Sequence, residues 1–148
     1  MTHINRINRV ARCAFLVLAL SIVLGGTVMA DVVAVVSSKN PLASLSKAQV
    51  ADIFLGKTAR FPDGTLAVPI DREESSATRD EFYATFTGKS PAQIKSHWTK
   101  IIFTGRGQPP IAASNSAEVR HLIAANPRAI GYLERSAVDA SVKILVQP

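Results

Sequence analysis

A chain of 148 residues, 47% of them hydrophobic, can bury a core of its own. One cysteine in the whole sequence excludes a disulfide framework and cysteine-metal sites. The +6 net charge shrinks to +3 once Arg6, Arg9 and Arg12 are set aside, and the rest is interspersed without a basic run, so nucleic acid is not an expected partner.

The first thirty residues read as an export signal. Three arginines precede an apolar run from Cys13 to Leu24 broken by Ser21, and small residues at Val28 and Ala30 suit cleavage after Ala30. An uncleaved anchor is the competing reading, but the run is shorter than the roughly 20 residues of a spanning helix. Cys13 opens the run instead of following it, so it does not suit lipid attachment. The expectation is a signal peptide at 1–30, one domain at 31–148, a periplasmic location and no membrane insertion after cleavage.

Val32 to Val36 is a β-branched run, as in a strand buried on both faces. Ser37, Ser38 and Asn40 follow in a polar loop. Ser46 and Gln49 form a capping box with Leu45 and Val50 as its staple, and the helix runs to about Leu55 before Gly56. Pro62-Asp63-Gly64 is a turn, and Leu66 to Ile70 a short strand. Thr78 and Glu81 offer a second capping box, for a helix closed by Gly88. Ser90-Pro91 starts a third, with Ile94, Trp98, Ile101 and Ile102 on its core stripe. Residues 104–110 form a connector. Asn115 and Glu118 cap a fourth helix with Val119, Leu122 and Ile123 inward. Ala129 to Leu133 and Val142 to Val146 read as strands. The order β-α-β-α-α-α-β-β implies a largely parallel sheet covered by helices.

The chemistry concentrates in Asp71-Arg72-Glu73-Glu74-Ser75-Ser76-Ala77-Thr78-Arg79, a turn opening a helix. The first N–H groups of a helix lack internal partners and carry the positive end of its dipole. Arg72 and Arg79, with hydroxyls from Ser75, Ser76 and Thr78, complete a receptor for a small oxyanion. Asp71 would accept a hydrogen bond from a protonated ligand oxygen, favouring monohydrogen phosphate over sulfate. Ser37 and Ser38, after the first strand, would face this turn across a crevice. The plainer reading is a capped helix whose arginines pair with the five surrounding carboxylates at the surface. Gly105-Arg106-Gly107 lacks the residues of a P-loop and reads as a connector, with Arg106 a third cation for the site. His97 and His121 lack ligand spacing, so no metal and no cofactor are expected. No serine-nucleophile elbow surrounds Ser75 or Ser76, so no enzyme is expected.

The segments LSKAQVADIFLGK, VPIDREESSATRDEFY, GRGQPP and NPRAIGYL, in this order, resemble the PstS-like phosphate-binding proteins of ABC transporters, within the type 2 periplasmic-binding-protein superfamily. That family is usually about twice as long and folds as two lobes. The resemblance implies one lobe, an α/β fold with a mixed, mostly parallel sheet of about four or five strands and helices on both faces. It also implies phosphate or a similar oxyanion as ligand, for ABC-type uptake or sensing. The family's anion turn reads Arg-x-x-Gly-Ser-Gly-Thr. Arg72, Ser76 and Thr78 match, while Ser75 and Ala77 replace both glycines and restrict close backbone approach. A single lobe suggests that a second copy or an envelope protein supplies the missing wall. The alternative is a lobe that has lost its ligand and serves as a protein–protein interaction module.

Overall fold

The computed structural model describes residues 31–146, so the expected signal segment lies outside the described residues. Among these residues the chain forms one five-stranded sheet in the order β3-β2-β4-β1-β5. The elements are β1 (Val32–Ser37), α1 (Lys47–Phe54), β2 (Val68–Arg72), α2 (Ala77–Thr87), α3 (Pro91–Phe103), β3 (Ile111–Ala113), α4 (Ser116–Ala125), β4 (Ala129–Glu134) and β5 (Val142–Val146). A single 3-10 turn, Arg135–Ala137, joins β4 to β5. β2 runs parallel to β3 and β4, and β1 runs antiparallel to β4 and β5. Four of the five strands therefore point one way and β1 points against them. No helix among the described residues is long and apolar enough to cross a membrane.

Both faces of the sheet are covered, and the alternation of side chains along β1 shows why its sequence lacks polar residues. Val32, Ala34 and Val36 enter one cluster with Phe54 of α1, Phe82 of α2 and Ile94 of α3. Val33 and Val35 enter the other, with Val119 and Ile123 of α4. A strand apolar at every position is what two buried faces require. On the first face Phe82 stacks on Tyr132 with ring centroids 4.0 Å apart, and Phe54 meets Phe82 edge-on at 4.7 Å. These rings hold the Tyr132 side chain in a fixed direction.

Several sequence expectations shift. β2 begins two residues later than expected and runs on through Asp71 and Arg72, so these two belong to a strand end. β3 was not expected at all. It has three residues, two of them exposed, and too short a span to show a period. Ile102 was expected in the core stripe of α3 but is 54% exposed, because only Ile94 and Trp98 of that helix are buried. The cap of α2 is Ser76, whose Oγ accepts from Arg79 N at 3.3 Å, and not Thr78. Thr78 sits inside the first turn, and its hydroxyl is free to point elsewhere.

Candidate functional site

Asp71 and Arg72 are adjacent in β2, so their side chains leave opposite faces of the sheet. Asp71 turns under α2, and its carboxylate is almost fully enclosed. Its Oδ2 accepts from Tyr83 Oη at 2.7 Å and Arg79 Nε at 3.2 Å. Its Oδ1 accepts from the Arg72 backbone N–H at 2.8 Å and from Tyr132 Oη. Burial and the Asp71 charge hold both tyrosine hydroxyls well above their ordinary values. Burial opposes the charge on Arg79, but Asp71 outweighs it and the guanidinium stays above its usual value. Within this cluster Arg79 engages Asp71 through its Nε. Asp71 and Arg79 were expected to meet an oxyanion, and instead they meet each other, because the turn carries both inward as a buried pair.

Arg72 turns toward α4. Its Nη1 donates to Ser116 Oγ at 2.8 Å and lies 3.9 Å from Glu134 Oε1, while its Nε is buried without a hydrogen-bond partner. Ser116 Oγ donates in turn to Glu134 Oε2 at 2.6 Å, and Thr78 Oγ1 donates to Glu134 Oε1 at 2.5 Å. One carboxylate thus collects a hydroxyl from the first turn of α2, a hydroxyl from the first residue of α4, and the charge of Arg72. Burial works against the charged form of Glu134, but Ser116, Thr78, its own backbone N–H and Arg72 outweigh it and hold the carboxyl below its ordinary value.

Topology puts these donors together. β2 and β3 are parallel neighbours, yet β2 leads into α2 on one face of the sheet and β3 leads into α4 on the other. Two helix N-termini therefore flank the carboxyl ends of β2, β3 and β4. Ligands of open α/β sheets commonly sit at such a reversal.

Ser37 and Ser38 are not brought to this place. β1 runs antiparallel to β4, with Val32 opposite Glu134, so Ser37 lies five residues down the strand, about 16 Å away at roughly 3.3 Å per residue. Ser37 Oγ accepts from Lys39 N at 3.3 Å, and Asn40 joins two loops through Pro127 O at 2.7 Å. Ser75 is exposed in the turn before α2, and Ser76 is spent on the cap. Arg106 is exposed in the connector after α3. Two residues of the site, Ser116 and Glu134, were not singled out from the sequence. The signal for Glu134 was a carboxylate closing an otherwise apolar strand at the ligand-bearing end of the sheet.

No protein-family model and no curated protein sequence matches the chain. Solved structures do match. A Clostridium perfringens protein assigned to phosphate ABC transporter substrate binding, solved with bound phosphate, aligns at a TM-score of 0.61 and 26% identity, over 78% of this chain and 44% of that one. An ABC-type phosphate transport receptor from Vibrio cholerae aligns at 0.61 and 22%, over 78% and 45%. PstS from Borrelia burgdorferi aligns at 0.52 and 14%, over 78% and 46%. The fold is that of part of a PstS-like substrate-binding protein. The chain spans less than half the length of these proteins.

Proposed function

We propose that the protein binds phosphate or a similar small oxyanion, non-covalently, at Arg72, Thr78 and Ser116. One observation carries this reading: two hydroxyl protons from two helix N-termini, and the charge of a strand-end guanidinium at 3.9 Å, converge on a single oxyanion, the Glu134 carboxylate. Donors arranged for one carboxylate suit other small oxyanions, because both present acceptor oxygens a few ångströms apart. The likeness to receptors that the names of their structures connect with phosphate supports phosphate as first candidate. Reading residues 1–30 as an export signal and 31–148 as a single domain supports a periplasmic setting, in ABC-type uptake or in sensing.

Thermal melts with millimolar phosphate, sulfate and other oxyanions test the reading. A ligand at a hundredfold its dissociation constant adds about 2.7 kcal/mol. A shift is expected for the wild type, and its loss is expected in Arg72→Ala. A shift that survives Arg72→Ala together with Thr78→Ala places the site elsewhere. A second reading, an interaction module for an envelope partner, is favoured by Phe103, 91% exposed at the end of α3 beside exposed Ile102. Its signature is a wild type that no anion stabilises.

A further inference from the structure

We propose that Glu134 is a built-in occupant of the oxyanion receptor, which must leave before a free anion can enter. The inference rests on the oxyanion reading above and names what regulates that site. A hydroxyl carries a single proton. The protons of Thr78 and Ser116 are both given to the two oxygens of Glu134, at 2.5 and 2.6 Å. Arg72 spends one Nη1 proton on Ser116 Oγ and directs its charge at the same carboxylate. With Glu134 in place, a free oxyanion finds neither hydroxyl proton available and meets a like charge at contact distance. The receptor is thus complete and filled by the chain itself.

The position of Glu134 allows the exchange. It is the last residue of β4 and stands where the strand passes into the 3-10 turn Arg135–Ala137. Its side chain is 26% exposed, against 11% for Arg72. Rotation about its own side-chain bonds carries the carboxylate to solvent without breaking the strand. Other acids lie on the same side: burial, Asp31 and Glu134 together hold Glu81 above its ordinary value. That repulsion acts on Glu134 where it now sits, so it is the two hydroxyls and the Arg72 charge that hold the carboxylate in place. Arg72 gives the carboxylate its charge at 3.9 Å but no hydrogen bond, and its Nε is buried without a hydrogen-bond partner. A tetrahedral anion, with more oxygens than a carboxylate, has one to offer it.

Inorganic phosphate, sulfate and formate titrated into wild type, Glu134→Ala and Glu134→Gln by calorimetry, with melts alongside, test the proposal. Glu134→Ala is expected to bind phosphate at least about tenfold more tightly than wild type, a gain of 1.4 kcal/mol. Formate is expected to stabilise Glu134→Ala and not the wild type, because it restores the missing carboxylate. Adding Arg72→Ala to Glu134→Ala is expected to abolish both effects. Wild-type phosphate binding that is unchanged or weakened in both Glu134 variants overturns the proposal and leaves the oxyanion function standing, with Glu134 as part of the receptor or a bystander. Folded variants and wild type that bind none of the three anions overturn both. If Glu134→Ala does not fold, judged by far-ultraviolet circular dichroism, Glu134→Gln decides the matter: it keeps the shape of the side chain and removes its charge.

Discussion

Asp71 accepts four hydrogen bonds inside the protein, and among the described residues it is the one ionic partner of its neighbour Arg79. Removing one member of such a buried pair strands the other. Asp71→Ala is expected to lose about 3–5 kcal/mol, seen as a lower urea midpoint at an unchanged slope. A loss below about 1 kcal/mol would show that Arg79 reaches water once released. Glu134 makes a different prediction, in phosphate-free buffer. Its folded pKa lies below the ordinary 4.5: burial raises it, but Ser116, Thr78, its own backbone N–H and Arg72 outweigh burial. A depressed carboxyl contributes stability that is present above the unfolded value and lost as pH falls through the folded one. The stability advantage of wild type over Glu134→Gln should therefore be level above about pH 4.5 and shrink below it. An advantage independent of pH would mean that Glu134 matters by shape and not by charge. At this scale the sequence offered Arg72 and Thr78, which are neighbours in the chain. It hid Glu134, whose hydrogen-bond partner Thr78 is 56 residues away. Nor does a linear string show that Asp71, hydrogen-bonded by Tyr83 and Tyr132, pairs with the Nε of Arg79.

The long elements were legible because each carries its own punctuation. Ser46 with Gln49 and Ser90 with Gln93 form the capping boxes their spacing implies, and Gly88 ends α2 in the left-handed region at φ +68°. What failed was a choice between two adequate caps. Ser76 and Thr78 both suit an N-cap, and Ser76 prevails while Thr78 hydrogen-bonds across to β4. Ser76→Ala is accordingly expected to cost about 1 kcal/mol of stability, the usual loss of a cap. If Thr78→Ala instead removes helix content and Ser76→Ala does not, the cap assignment is wrong. The seat of α4 depends on Gly131 of β4. A Cβ there would stand 2.6 Å from Ile123 Cδ1 and 3.1 Å from Val119 Cγ1. Gly131→Ala should cost about 1–3 kcal/mol by overpacking. Shortening the obstacle with Ile123→Val should make the pair non-additive, so that the double variant is more stable than the summed single losses. Strict additivity in urea melts would show that α4 slides away freely. Because α4 brings Ser116 to Glu134, a glycine in a strand helps to set the geometry of the site.

The described residues present one end of the sheet with two helix N-termini beside it, on a chain that spans less than half the length of the structures whose fold it shares. The single lobe suggested that a second copy or an envelope protein walls in the ligand, since pockets usually enclose most of what they bind. The placement of the donors argues for the opposite. Arg72, Thr78 and Ser116 all come from the same chain, and their present partner, Glu134, is already three-quarters covered by that chain. An anion in that place needs no donor from outside. Phosphate-dependent stabilisation should therefore be the same at protein concentrations tenfold apart, whereas a site completed by a second copy ties the shift to protein concentration by mass action. Melts at the two concentrations, paired with light scattering, separate these cases. A shift that grows with protein concentration as the scattering mass doubles would move the missing wall to a second molecule. Phe103→Ser tells whether the exposed end of α3 takes part. It touches none of the donors, so its expected effect on stability is within about 0.5 kcal/mol. Under a self-contained receptor it leaves the phosphate shift intact, and under a shared one it weakens shift and dimer together if the end of α3 forms the contact.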